Sequence, residues 1–464
     1  MAIYKRVPGE EQPYWPLGPF QVRLPLVHYR FEGPEAIQGA VVFVVSLAII
    51  PLLETYLGLP YDVALAYVVI GGIGFMLPGL LGVPLVPGWV TPAIPVIIIF
   101  LQQFEPGPEA IRALFALQFL VFAIFMVLGV TGLGKKLVDL VPNSLKAGII
   151  LGAGIAAIFG EIKPDGRFWD APVSLLIGTL VCLFLMFSLT FRQWMEHHAF
   201  AKRLAQYGVV PALLLAMVIA WIIGEYPLPT INWGIQAPAM GELLAWTPVT
   251  LGFPPFEVFL LALPTAIISY IIAFGDIVVG KALIDRVDHL RPDEKIDFNT
   301  DRVHLVTGIR NGLHAFLAPY PGLAGPIWTA GTATVAERYR FGPDAMESIY
   351  SGGGTLFVVA FFCLFVGPLV SLFQPVLPIA LVLTLLITGY LCIIVAMQQV
   401  QTDTERGVAG LVAVTLASGD QYAAAYAITL GLILYVLIER KGPQAPKQEA
   451  TSDPAPKPGP QQAE

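Results

Sequence analysis

The sequence predicts an all-α, polytopic membrane protein whose two halves each carry seven apolar segments, one of them broken. Three observations predict it. The 464-residue chain is 56% hydrophobic and only 13% charged, where a soluble domain carries about a quarter charged residues, and its mean hydropathy is +0.73. Apolar runs approaching the length of a membrane span recur along nearly the whole chain. A Pro-Trp-Thr theme also interrupts one run in each half, its threonines Thr91 and Thr329 standing 238 residues apart.

Residues 1–35 contain Lys5, Arg6, Arg23 and Arg30 and lack the short apolar core of a cleavable signal, so a cytoplasmic N-terminal segment is expected. Apolar runs follow at about 36–57, 62–81, 84–103 (broken), 110–131, 137–161, 171–190 and 204–224, a first repeat over 36–224. A second set runs at about 256–283, 303–320, 323–340 (broken), 346–372, 375–398, 406–417 and 419–438, a second repeat over 256–438. The run 406–417 is short for a span of about 20 residues, so a helix there need not cross fully. Residues 225–255, with Trp233 and Trp246 but no Lys or Arg, are expected to form an extracellular connection. The Pro-, Gln- and Lys-rich residues 439–464 are expected to form a disordered cytoplasmic tail.

Orientation follows from where the cations lie. With a cytoplasmic N-terminus, the outer loops hold only Arg112, Lys163 and Arg167. The inner ones hold Lys135 and Lys136, Arg192, Lys202 and Arg203, the stretch Lys281 to Arg302, Arg338 and Arg340, then Arg440 and Lys441. This is the positive-inside asymmetry, and it places both termini in the cytoplasm.

The broken segments carry the expected site. Gly325 to Tyr339 is interrupted by Gly325, Pro326 and Gly331 and made polar by Thr329, Thr332 and Thr334. It reads as an extended piece followed by a half-helix that Thr329 caps, with Trp328 before it. Pro87 to Ala93 repeats the theme with Trp89, Thr91 as the cap, and Pro92 at the first helical position. Irregular backbone at membrane depth is tolerated only inside protein or beside a polar cavity. Paired broken segments in two halves are where secondary transporters hold substrate.

Other motifs do not carry chemistry. Gly152 to Ala157 fits a dinucleotide-binding pattern but lies within an apolar helix with no strand before it, and Gly148 and Gly152 read as a close helix-packing face. Gly129 to Lys135 approaches a phosphate-binding loop, but Lys136 stands where Ser or Thr would hold magnesium. Adjacent Glu196, His197 and His198 cannot easily converge on one metal. Cys182, Cys363 and Cys392 sit singly in apolar runs as packing residues. Glu54 is expected at the outer interface, and Arg310 and Lys146 near cytoplasmic helix ends where they can snorkel. Asp276 differs, because it stands well inside the run 256–283. An acid at mid-membrane costs about 2.5–3.5 kcal/mol on insertion scales and marks a substrate or proton path, or a buried anchor.

The run Ala262 to Val279, with its Gly275-Asp276 pair, resembles the eighth helix of the nucleobase–ascorbate transporter family, the xanthine and uracil permeases. Asn311-Gly312-Leu313 ahead of the broken 323–340 segment and Val141-Pro142 opening the fifth helix are similar too. The resemblance implies fourteen segments as a 7+7 inverted repeat, short strands in the third and tenth, and a core domain moving against a gate domain. It also implies proton coupling. Three positions depart from the family pattern: Ile272 replaces a substrate-binding Glu, Thr329-Ala330 a Glu/Gln-Asn pair, and Gln38-Gly39 a Gln-His pair.

The expected protein is therefore a secondary active transporter. Its substrate would meet Asp276, Gly275, Thr91, Trp89, Trp328, Thr329, Gly331, Thr332 and Gln38, with Asp276 as the proton-coupling acid. A nucleobase-like solute moving with H+ is the first expectation, and a small organic or inorganic anion the alternative. A passive channel is a third reading. The expected partners are a small-molecule substrate, the bilayer and a second copy in a homodimer. No catalytic residue, metal, cofactor or nucleic acid is called for.

Overall fold

Long apolar runs punctuated by Pro and Gly become helices broken at those residues. The computed structural model describes residues 2–440 apart from 135, 137–139, 199, 202–203 and 205–208. Lys135, Lys202, Arg203 and the tail beyond Arg440 thus lie outside the described residues. The first half holds α1 (Gly33–Leu47), α2 (Ile50–Leu57), α3 (Tyr61–Leu80), strand β3 (Gly88–Trp89), a 3₁₀ turn at Thr91–Ala93 and α4 (Ile94–Leu101). It continues with α5 (Pro108–Thr131), α6 (Asn143–Ile162), α7 (Pro172–Phe187), α8 (Leu189–His197) and α9 (Val210–Ile223). After two short turns come α10 (Phe256–Asp288), α11 (Thr300–Leu317), strand β4 (Ala324–Gly325), α12 (Thr329–Tyr339) and α13 (Ile349–Cys363). The chain ends with α14 (Gly367–Phe373), α15 (Leu377–Gln399), α16 (Asp403–Leu416) and α17 (Ala423–Leu434).

Among the described residues, six helical stretches are long and apolar enough to cross a membrane, and a seventh if α7 and α8 count as one span. That pair bends by 61° at Ser188, whose hydroxyl accepts the Phe191 N–H at 3.3 Å and so starts a new helix. α16 is only 14 residues long, in keeping with the short run seen in the sequence.

The helices pack in two sets. α5 lies along α11 and α10, while α13 lies along α1 and α3, and α12 packs on α10. In the second set α6 packs on α15 and α16, α7 on α9 and α15, and α16 on α17. Small residues make the second set tight: a Cβ on Gly148 would stand 2.6 Å from that of Val412, and one on Gly152 2.9 Å from the Ala413 carbonyl. Both glycines thus form the packing face expected of them. The three cysteines are buried and free.

The N-terminal segment is structured. A hairpin of β1 (Trp15–Leu17) and β2 (Phe20–Val22) lies beneath the first helix set. Its residues grip the ends of those helices: Arg23 N–H donates to the Leu80 carbonyl at 2.9 Å, and Arg302 donates to Pro19 O at 2.9 Å and Gly82 O at 3.1 Å. Arg6 meets Asp293 at 2.7 Å and Glu294 at 3.2 Å, and Arg291 meets Asp293 at 2.6 Å.

Candidate substrate site

The two broken segments meet. β3 and β4 pair antiparallel, Gly88 opposite Gly325 and Trp89 opposite Ala324, as the short strands implied by the resemblance require. Beyond each strand the chain turns into a half-helix, α4 after the 3₁₀ turn and α12 directly. Glycine is needed at this crossing because backbones touch: a Cβ on Gly325 would stand 2.7 Å from the Trp89 carbonyl carbon, and one on Gly88 2.8 Å from the Ile327 carbonyl oxygen. Gly331 lies beneath the Trp328 ring. Trp89 is buried between Phe75 and Tyr320, with ring centroids 6.3 Å and 5.8 Å away.

Thr332, not the two expected threonines, ties the halves together. Its hydroxyl accepts from Val86 N at 3.0 Å and faces Val86 O at 3.3 Å, while Trp328 N–H donates to the same carbonyl at 2.6 Å. Thr329 and Thr91 are not caps. Trp328, in extended geometry (φ −102°, ψ 102°), occupies the cap position of α12, and Val90 that of the 3₁₀ turn, neither with a side-chain cap bond. Each threonine falls one residue late, already inside its helix, where its hydroxyl cannot reach forward to the first-turn amides. On α12 those amides have no intrahelical acceptor, whereas in the first half Pro92 and Pro95 carry no N–H and the Ala93 and Ile94 amides bond the Val90 and Thr91 carbonyls. Thr329 and Ala330, which carry two of the α12 amides, are exposed.

Behind the strands stands a residue that the sequence reading misplaced. Arg310 does not snorkel to the cytoplasm; it is 1% exposed. Its guanidinium donates to the Gly325 carbonyl at 2.5 Å and the Gly88 carbonyl at 3.2 Å, and lies 5.3 Å from the Phe75 ring centroid. The carbonyls of two short strands need donors, and Arg310 on α11 is within reach of both. Asn311 completes the arrangement, accepting from Ala324 N at 3.0 Å and donating to Ala324 O at 2.9 Å. Gln118 on α5 accepts from Tyr320 N at 2.8 Å. The available signal was an arginine inside the apolar run 303–320.

Asp276 and Gly275 are half-buried on α10, which packs against α12, α4 and the 3₁₀ turn. The helix bearing the acid therefore touches both half-helices. Asp276 makes no hydrogen bond or ion pair among the described residues and lies within electrostatic reach of Cys392 on α15. A Cβ on Gly275 would meet nothing within 4 Å. Gln38 is half-buried on α1, whose main partner is α13, and shares no hydrogen bond with the crossing. The arrangement offers free amides at the start of α12, a fixed cation behind the strand crossing and, on a neighbouring helix, an acid unpaired among the described residues. Such a set can hold a small polar or anionic solute and exchange a proton beside it.

Comparisons with known proteins agree with this geometry. A sequence model for xanthine/uracil permeases, described as "Permease family", matches residues 34–299, more than half of the chain. No curated protein matches by sequence. Among solved structures, the chain is similar to the transmembrane domain of a cyanobacterium bicarbonate transporter, BicA. The TM-score is 0.53 at 17% identity, over 85% of this chain and 97% of that one. It is also similar to the murine Solute Carrier 26 family member A9 anion transporter in its inward-facing state. There the TM-score is 0.51 at 14% identity, over 87% of this chain and 68% of that one. At such identities the likeness bears on fold alone.

Proposed function

The chain belongs to the permease family, and on that premise we propose that it is a secondary active transporter working by alternating access. The observation that carries the reading is the strand crossing, which sets two half-helices against α10, the helix that carries Asp276. The proposed architecture is a 7+7 inverted repeat of fourteen segments, 36–224 and 256–438, joined by the extracellular connection 225–255. Packing supports it. Exchanging the halves turns the α1–α13 contact into α10–α5, and α3–α13 into α11–α5. It also turns α6–α16 into α15–α7 and α7–α9 into α16–α17, and the β3–β4 pair into itself.

In this reading the first helix set, with both broken segments, is the core, and the second set is the gate. Substrate binds between the starts of the half-helices and Asp276, and the core moves against the gate to expose it alternately on the two sides. Both termini are cytoplasmic. A nucleobase-like solute taken up with a proton on Asp276 fits the family. A small anion is the second reading, favoured by the cation of Arg310 behind the crossing.

The test is a thermal-shift screen of the purified protein against nucleobases, carboxylates and oxyanions, followed by uptake into liposomes with and without an imposed pH gradient. Accumulation against a gradient is expected. Flux beyond about a thousand per second with no uphill accumulation would make the protein a channel. Cysteines placed near residue 240 should react with an impermeant reagent in intact cells while those near 290 do not; the reverse would invert the orientation.

A further inference from the structure

The sequence reading assigned no role to a buried cation, and the crossing is built on one. Arg310 is at least nine-tenths buried, forms no ion pair among the described residues, and its Nε has no hydrogen-bond partner. An arginine cannot shed its proton in a protein. A buried charge without a counter-charge is costly, and two carbonyls and one aromatic face offset only part of that cost. Asn311, one residue on, already serves both backbone groups of Ala324 with a neutral side chain, so holding the strands does not by itself require a charge. The bonded carbonyls belong to the paired residues Gly88 and Gly325, the first lying three positions before the 3₁₀ turn that leads into α4 and the second four positions before α12. The guanidinium charge therefore sits on the strand side of both half-helices, whose starts are the positive ends of their dipoles.

We propose that Arg310 is a specificity-determining residue: its fixed charge makes the site prefer a solute in its anionic form over a neutral one of the same shape. It acts through the strands and never touches the solute. The inference rests on the transporter reading above and deepens it, because a planar weak acid bound as a monoanion, with the proton carried separately, satisfies both substrate readings.

The experiment uses the full chain in lipid nanodiscs and two probe pairs of matched shape: benzoate against benzamide, and uracil-5-carboxylate against uracil-5-carboxamide. The wild type should bind the charged member of a pair about tenfold or more tightly than the neutral one. Arg310→Gln should abolish that preference while changing affinity for the neutral member less than about threefold; a purely structural role would weaken both members alike. Arg310→Lys, which keeps the charge but cannot span two carbonyls, should retain the preference in whatever fraction folds. If the glutamine variant does not fold, the wild-type and lysine ratios still decide. Equal wild-type affinity for charged and neutral members, or a preference that survives Arg310→Gln, overturns the charge role and leaves the transporter reading standing. Failure of all four probes to bind overturns the preference for planar monoanions and leaves the transporter reading to the wider screen.

Discussion

Thr332 and Val86 lie 246 residues apart in the chain, and the hydroxyl of one is bonded to the backbone N–H of the other at 3.0 Å. The same hydroxyl faces the Val86 carbonyl at 3.3 Å, so one side chain stands in for a further strand bond beside the crossing. Thr332→Val keeps the shape and removes both bonds, leaving a buried N–H unpaired. It should cost about 1–3 kcal/mol, whereas Thr332→Ser should cost less. Thr91→Ala and Thr329→Ala, which remove no cap bond, should stay within about 0.5 kcal/mol. Unfolding of the four variants in detergent is the measurement. A large loss from Thr329→Ala with none from Thr332→Val would restore the capping role.

Glycine at the crossing is required by contact, and glycine beside the acid is not. Gly325→Ala would put a methyl 2.7 Å from the Trp89 backbone, where neither strand can retreat without breaking the pair. A destabilisation of about 1–3 kcal/mol is expected. Gly275→Ala meets nothing within 4 Å and should fold with wild-type stability; if it lowers solute binding, the open space beside Asp276 is where the solute sits. Thermal melting and a binding titration of both variants separate the two effects.

The contrast shows what the sequence could carry. Pro-Trp-Thr in two halves located both broken segments, because breaking a helix at membrane depth demands Pro and Gly whatever the tertiary context. Runs of apolar residues likewise located the helices. Side-chain destinations were less legible. Thr91 and Thr329 miss the cap position by one residue, a shift set by how the strands pair and not by local preference. Arg310 read as a snorkelling cation because the acceptors that hold it, Gly88 and Gly325, are backbone carbonyls, which leave no trace in composition. The N-terminal hairpin was hidden for a similar reason. The N-terminal segment around it is held by carbonyl groups from Leu80 to Glu347, which bond Arg23 and Arg6 and are brought together only by the helix packing.

The ion pairs between Arg6 of the N-terminal segment and the loop after α10 make stability depend on pH. Hydrogen bonds and charge from Arg291, with Arg6 adding to them, hold the Asp293 carboxyl below the usual range. Burial pushes the Glu294 carboxyl up, with Arg6 and Ser348 offsetting part of that rise. The two act with opposite sign. A depressed acid contributes stability that is present above its unfolded value and is lost as pH falls through the folded one. A raised acid favours the folded state at low pH and withdraws that support as pH rises past its ordinary value. Asp293→Asn should therefore lower stability at pH 7–8 by about 1–3 kcal/mol and flatten the acid limb. Glu294→Gln should flatten the limb above the ordinary carboxylate range and leave the acid limb in place. Melting temperature against pH for the wild type and both variants checks this. An acid limb unchanged in Asp293→Asn would remove Asp293 as its source.

The last prediction concerns Asp276 itself. It is half-buried on α10 and free of hydrogen bonds and ion pairs among the described residues. α10 belongs to the helix set that holds the crossing and also packs on α6 and α17 of the other set, so the helix that carries the acid lies at the seam across which alternating access would open. A structural anchor would be expected to hold partners, and Asp276 holds none. A carboxylate left free at such a seam is suited to take a proton from one side and release it to the other as the seam shifts. Asp276→Asn should then fold with wild-type stability and still exchange solute across liposomes, using whichever solute stabilises the protein in the screen. It should fail to accumulate that solute when an inward proton gradient is imposed. Gradient-driven accumulation by the Asn variant at the wild-type rate would remove Asp276 from coupling. Transport would then be driven by the solute's own gradient or its charge, and Arg310 would be left as the one ionised group shaping the site.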